Sequence, residues 1–283
     1  ELKSNLRGGE WTALDVAMPD LNQVTGTPNA AAIQKLRIRA YDKSNGALTF
    51  WFGGLAVVNP PAGASGGVVT LTFDDSYSAA FTVARPRMDV RGYAGTMFPI
   101  IDQLGGANKL TVAQMRQLQN VHGWEVGSHA TSSAAHGLGF AGRTEADLKA
   151  EMLTIQQWNV ANGFAASTFA YPVATFDALG EEMAGRFFRH TRTTNTKINE
   201  TVPPSAPHRI RAVAVGASTT LAELQTKIAQ AKAGNSWLVL IYHDIVASGP
   251  VGNASLTSLF ESTLAEIAAQ GVRVRTMAQA LAL

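Results

Sequence analysis

From residue 68 onward, short apolar runs alternate with segments whose apolar positions recur every three or four residues, the pattern of strands alternating with amphipathic helices. Val68–Phe73, Gly95–Ile100, Trp124–Ser128, Ser167–Tyr171, residues 187–192, Trp237–Tyr242 and Val272–Arg275 read as strands. Thr111 opens a helix with capping-box spacing to Gln114. Thr144 caps a longer one whose Leu148, Met152 and Ile155 share a face until Asn162-Gly163 ends it. Helices are also predicted at 176–185, from Thr220 to Gly234, at 255–270 and at the C-terminus. About seven βα units over residues 68–283 predict an α/β fold, a distorted (β/α) barrel of about seven strands, in preference to an open sheet.

Residues 1–59 follow another period. Lys35–Tyr41 alternates polar and apolar, Lys43-Ser44-Asn45-Gly46 is a turn signal, and Ala47–Val58 is rich in aromatic and β-branched residues, which predicts a hairpin. Residues 60–67, dense in Pro, Gly and small residues, read as a linker. The expected organisation is a small N-terminal β-rich segment (1–59), the linker, and the barrel (68–283). A segment this small either completes a β-sandwich or packs on its neighbour, and it offers a surface for oligomerisation.

Composition narrows the function. With 46% hydrophobic and 16% charged residues, the chain of 283 has material for a sizeable core. Its 23 Lys+Arg against 21 Asp+Glu form no basic face, which argues against a nucleic-acid partner. No apolar run approaches the about 20 residues of a membrane span. Cysteine is absent, so disulfides, thiolate metal sites and a cysteine nucleophile are excluded. The first residue, Glu1, and the lack of a signal-peptide pattern over residues 1–11 predict an excised piece of a longer chain.

In a parallel barrel the chemistry lies where strands end. Asp74 and Asp75 follow the first strand, His129 the third, Tyr171-Pro172 the fourth, and His243-Asp244 the strand Trp237–Tyr242. One carboxylate and one or two imidazoles make an open site for a divalent ion, a second carboxylate can act as base, and a further imidazole can protonate a leaving group. Each residue alone has a plainer reading, since paired Asp residues often cap helices and a lone His is more often structural. No phosphate-binding glycine loop and no Gly-x-Ser-x-Gly elbow is present.

Thr72-Phe73-Asp74-Asp75, Gly127-Ser128-His129 with His136, Phe169-Ala170-Tyr171-Pro172 and Leu240-Ile241-Tyr242-His243-Asp244 resemble, in order, the motifs of the polysaccharide deacetylases with the NodB-homology domain, carbohydrate esterase family 4. The resemblance covers residues 68–283. It implies a distorted (β/α) barrel and hydrolysis of N- or O-linked acetyl groups on an extracellular polysaccharide or oligosaccharide by a metal-activated water. It also implies that Asp74 is the general base, His243 the general acid, and Asp75 and His129 metal ligands. Ile241 then lines the acetyl-methyl pocket, the Val173 backbone donates to the oxyanion, and Tyr171 and Pro172 belong to the substrate side. The ligand set suits Zn²⁺, with Co²⁺, Ni²⁺ or Mn²⁺ as alternatives.

The chain departs from the family pattern twice. The second family histidine is expected four residues after the first, but position 133 is Ser133 and the next imidazole is His136. One continuous helix would separate His129 and His136 by about 10.5 Å of rise, too far to share an ion, so they converge only if the intervening run is a loop. His136 is then the third ligand; a site with two protein ligands, or with one from elsewhere, is the alternative. In the third motif the family's usual Arg is replaced by Ala170, so another cation must orient Asp74. Arg192 is the candidate, and a purely structural role is the competing reading.

Asp244 can orient His243 or cap the next segment, His122 reads as a helix-end contact, His190 and His208 match no motif, and Trp124 and Trp158 read as core. Two further functions compete with the deacetylase. One is an amidase acting on small cyclic amides with the same fold and metal; the other is an inactive glycan-binding module.

Overall fold

The computed structural model describes residues 9–20, 49–194 and 198–283. Ten strands form: β1 (Val68–Asp74), β2 (Thr96–Phe98), β3 (Glu125–Val126), β4 (Thr168–Ala170), β5 (His190–Arg192), β6 (Val213–Ala214), β7 (Trp237–Tyr242), β8 (Ile245–Val246), β9 (Ser255–Leu256) and β10 (Arg273–Val274). The helices are α1 (Arg85–Asp89), α2 (Val112–Asn120), α3 (Ser133–Leu138), α4 (Glu145–Asn162), α5 (Ala178–Phe187), α6 (Leu221–Gly234), α7 (Thr257–Gln270) and α8 (Met277–Ala280).

A parallel sheet runs β3-β2-β1-β7-β6, with β10 on the first residues of β1, and β4 pairs with β5 in a second parallel sheet. Single parallel bridges, Ser128 to Phe169 and Arg192 to Ile210, join the two sheets. The seven strands β1–β7 therefore follow one another around a barrel whose ladder thins to isolated bridges at two seams, the distortion expected from the sequence.

Period-2 alternation assigns the faces. Val68, Trp237, Val239, Ile241, Phe98, Ala170 and Ile210 cluster inside the barrel. Val69, Leu71, Phe73, Leu238, Leu240 and Tyr242 point outward against the helices. Both faces of β1 and β7 are buried, as parallel strands covered by helices require. Phe73 lies 4.9 Å from Trp124 and 6.2 Å from Phe260, centroid to centroid, and full burial of such a ring contributes about 1.5–3 kcal/mol. Two polar groups inside find partners: the Trp237 indole donates to Thr70 Oγ1 at 2.8 Å, and Thr72 Oγ1 to the Leu240 carbonyl at 3.0 Å.

The predicted helix starts hold. Thr111, Thr144 and Thr220 each accept the backbone N–H three residues on, and Gly163, left-handed at φ 75°, ends α4. Trp124 is buried and Trp158 packs against the same core, as the sequence suggests. Strand β6, helices α1 and α3, and the β8–β9 pair are additions to the sequence reading.

Most of the predicted hairpin lies outside the described residues. Its described part, residues 49–58, forms no strand. Residues 10–20 run as a strap fastened to the barrel, with Glu10 paired to Arg209 at 2.5 Å, the Asp15 carbonyl accepting from Arg211 at 2.9 Å and the Pro19 carbonyl from Gln230 at 3.1 Å. Among the described residues no helix is long and apolar enough to cross a membrane.

Candidate active site

Strand register, one left-handed turn and one glycine aim the site. Asp74 is the last residue of β1, and the alternation that turns Val68, Thr70 and Thr72 inward turns its side chain into the barrel mouth. β1 and β7 pair in the register Phe73 to Tyr242, so the next step along each strand sets His243 beside Asp74. Asp75 and Ser76 then adopt left-handed backbone at φ 62° and 60°, which swings the Asp75 carboxylate out of the strand direction. At Gly127 a Cβ would stand 2.5 Å from the Phe98 ring; without it, the chain after β3 passes close over β2 and delivers His129 to the same mouth.

Around Asp75 the imidazoles converge. Its Oδ1 lies 3.5 Å from His129 Nε2 and 3.4 Å from His136 Nε2, and its Oδ2 lies 3.8 Å from His243 Nε2. One ligating atom each from Asp75, His129 and His136 fall within 4.8 Å of one another. His129 Nδ1 is 2.7 Å from the Ala170 carbonyl. Since a carbonyl can only accept, Nδ1 carries a hydrogen and Nε2 is the ring nitrogen that faces Asp75. Burial alone would raise the Asp75 carboxyl, but the surrounding His129, His243 and His136 imidazoles more than offset this and hold it well below the usual carboxylate range. Burial and the nearby His129 push His136 below its ordinary value despite the opposing pull of Asp75, so it is neutral at neutral pH.

These residues fit a divalent cation. Asp75 Oδ1 is buried with no hydrogen-bond partner. One carboxylate oxygen and two imidazole nitrogens that converge on one point supply the donor atoms, and one Asp with two His ligands leaves coordination positions open for substrate and water.

The stretch after His129 differs from the predicted loop. Ser132 caps helix α3 by accepting from Ala135 N at 3.1 Å, so Ser133–Leu138 is helical and His136 sits within it. The two histidines meet because the helix starts only at Ser133: residues 130–132 form the bend, and the rings stand 4.8 Å apart at 68°. Two carboxylates shape that bend. Glu151 of α4 accepts from Thr131 N and Thr131 Oγ1, both at 2.8 Å, and Asp102 accepts from Ser133 N at 2.9 Å. Neither was singled out from the sequence, although a Glu sharing a helix face with Leu148, Met152 and Ile155 is a detectable signal.

Arg192 Nη2 donates to Asp74 Oδ2 at 2.6 Å, with the guanidinium wholly buried and its carbon 5.0 Å from the centre of the Phe98 ring. Ala170 pairs in register with Arg192, so the cation missing from the third motif arrives from the neighbouring strand, past the space that the small Ala170 side chain leaves. Asp74 Oδ1 is buried and takes no hydrogen bond within the protein.

The substrate-side residues separate. Val173, left-handed at φ 44°, is 48% exposed, whereas Pro172 is buried. Ile241 is buried in the barrel interior with Phe98 and Ala170. Tyr171 is turned into the core: its ring stacks on Phe176 at 4.2 Å, and its hydroxyl accepts from Thr191 and donates to the His208 carbonyl, so its side chain is not presented to the cleft. Asp244 accepts from Asn108 Nδ2 and Ile245 N, which settles its two readings as a cap; His243 Nδ1 is buried without a partner. His122 pairs with Asp89 at 3.1 Å, and neither His190 nor His208 joins the Asp75 group.

No family model matches the chain, and no curated protein matches its sequence. Solved structures do. A family 4 acetyl xylan esterase from Clostridium thermocellum, solved with a cobalt ion, is similar at a TM-score of 0.51 and 18% identity over 76% of this chain and 90% of that one. A carbohydrate esterase family 4 pseudoenzyme from Bacillus anthracis is similar at 0.50 and 12% identity, over 76% and 65%. A Streptococcus pyogenes deacetylase solved with acetate is similar at 0.44 and 23% identity; 50% of this chain aligns, spanning 63% of that one. The chain has the fold of the family 4 carbohydrate esterases, the NodB-like polysaccharide deacetylases.

Proposed function

We propose that the protein is a metal-dependent deacetylase that removes N- or O-linked acetyl groups from an extracellular polysaccharide. The observation that carries this reading is the juxtaposition at one barrel mouth of the Asp75, His129 and His136 group with a second, Arg192-paired carboxylate and the His243 imidazole. A fold alone does not carry it, since an inactive protein shares the fold.

Asp75, His129 and His136 would hold the cation, and Zn²⁺ suits them, with Co²⁺, Ni²⁺ or Mn²⁺ as alternatives. When bound, such an ion polarises the acetyl carbonyl and makes a water acidic enough to attack near neutral pH. The remaining work falls to the chain. Asp74 takes the proton of the attacking water on Oδ1, the oxygen that Arg192 leaves free, while the guanidinium on Oδ2 holds the carboxylate in orientation. His243 gives a proton to the departing sugar amine or alkoxide, and the exposed left-handed backbone at Val173 offers its N–H to the developing oxyanion. Ile241 and its neighbours in the barrel interior supply an apolar floor beneath the acetyl methyl.

Acetate release from acetylated xylan and from N-acetylglucosamine oligomers, measured with zinc and then with a chelator, tests the reading. Release that stops with chelator and with Asp75→Ala supports it. Release unaffected by either, or confined to small cyclic amides, overturns it.

A further inference from the structure

The turn that presents Asp75 is held by residues outside the group of Asp74, Asp75, His129, His136, Arg192 and His243. Two successive non-glycine residues in left-handed backbone store strain, which persists only where the surroundings over-determine it. Here two segments supply them: Ile100, whose N–H donates to Ser76 Oγ at 2.9 Å and whose carbonyl accepts from it at 3.1 Å, and the loop 108–110. Lys109 Nζ donates to the Asp75 carbonyl at 2.8 Å and lies 3.6 Å from the centre of the Tyr77 ring. Leu110 N donates to the Ser76 carbonyl at 2.7 Å, and Ser78 N to the Asn108 carbonyl at 3.0 Å. On the far side of the site, Asn108 Nδ2 donates to Asp244, the residue after His243.

We infer that Lys109 is a positioning residue for the metal site: by gripping the Asp75 carbonyl it fixes the left-handed turn and thereby aims the Asp75 carboxylate at His129 and His136. The backbone bonds of Leu110 and Asn108 hold Ser76 and Ser78, whereas the Lys109 ammonium bonds the Asp75 carbonyl itself. Stacking over Tyr77 fixes the direction of the lysine stem, so the ammonium arrives at the carbonyl in one geometry. The inference rests on the metal-site reading above.

Its sign makes it testable. A lysine that were merely a positive charge near a cation would repel it, and its removal would tighten metal binding. A lysine that aims a ligand does the reverse. Zinc affinity is measured by calorimetric titration on the full chain for the wild type, Lys109→Met and Lys109→Arg, alongside the visible absorption of the cobalt-loaded forms. Lys109→Met is expected to weaken zinc binding about 10–100-fold, the range for losing a group that orients a ligand, and to alter the cobalt bands. Lys109→Arg, which keeps a charged donor of similar reach, is expected to restore both. Unchanged or tighter zinc binding in a folded Lys109→Met overturns the inference. If thermal melting shows that variant unfolded, Lys109→Gln, whose amide is too short to reach the Asp75 carbonyl, carries the same expectation and the same contradiction. Wild-type protein that takes up no zinc overturns the metal reading itself, and this inference with it.

Discussion

Arg192, the last residue of β5, donates across the barrel mouth to Asp74, the last residue of β1, at 2.6 Å with both side chains buried. The pair couples the stability of the barrel to its chemistry. Replacing Arg192 by Met leaves a buried carboxylate uncompensated, so Arg192→Met should lose about 3–5 kcal/mol of stability in urea unfolding. The rate constant kcat for acetate release should also fall about 100-fold with KM little changed, as general-base contributions of this size imply. Arg192→Lys keeps the charge but not the planar fork, and should fall between the two.

The bend that separates His129 from His136 is set by Glu151. Glu151→Ala leaves Thr131 N and Thr131 Oγ1 without their acceptor, which should cost about 1–3 kcal/mol. Zinc affinity, read by calorimetry, should weaken about tenfold as the bend relaxes. A variant that loses stability but binds zinc as tightly as the wild type would show that the bend does not govern ligation.

Proton and metal compete for His136 Nε2. Because burial and His129 hold this imidazole below its ordinary value, it is already deprotonated where a free imidazole still binds protons. His136 should therefore impose little loss of zinc affinity from about pH 8 to about pH 6.5, the ordinary imidazole value, with the decline setting in below. The metal-free protein should lose stability as pH falls through that same value, because the unfolded chain takes up the proton first. Removing the imidazole with His136→Ala should weaken zinc binding and remove this part of the pH dependence.

Much of this site was legible as strand ends. Val68–Phe73 and Trp237–Tyr242 read as apolar strands with Asp74 and His243 at their ends, and both strands form with these residues at the barrel mouth. Other parts were hidden by physical causes. Strand β6 lies in a run where Arg211 is buried through its ion pair with Glu200 and its bond to the Asp15 carbonyl, so a charged residue breaks the apolar pattern. Helix α3 spans only six residues, too short for periodicity to register, although Ser132 three residues before Ala135 is a usable cap signal. Lys109 and Glu151 act on backbone atoms of distant turns, and sequence spacing carries no trace of which carbonyl or N–H a side chain will meet. Arg192 could be anticipated only because the absence of a cation at Ala170 posed the question.

The most direct measurement is anomalous diffraction at the zinc edge from crystals of the full chain grown with the metal. The account predicts one peak bonded to Asp75, His129 Nε2 and His136 Nε2 at about 2.0–2.2 Å. A peak elsewhere, or none between these three residues at saturating zinc, would contradict it.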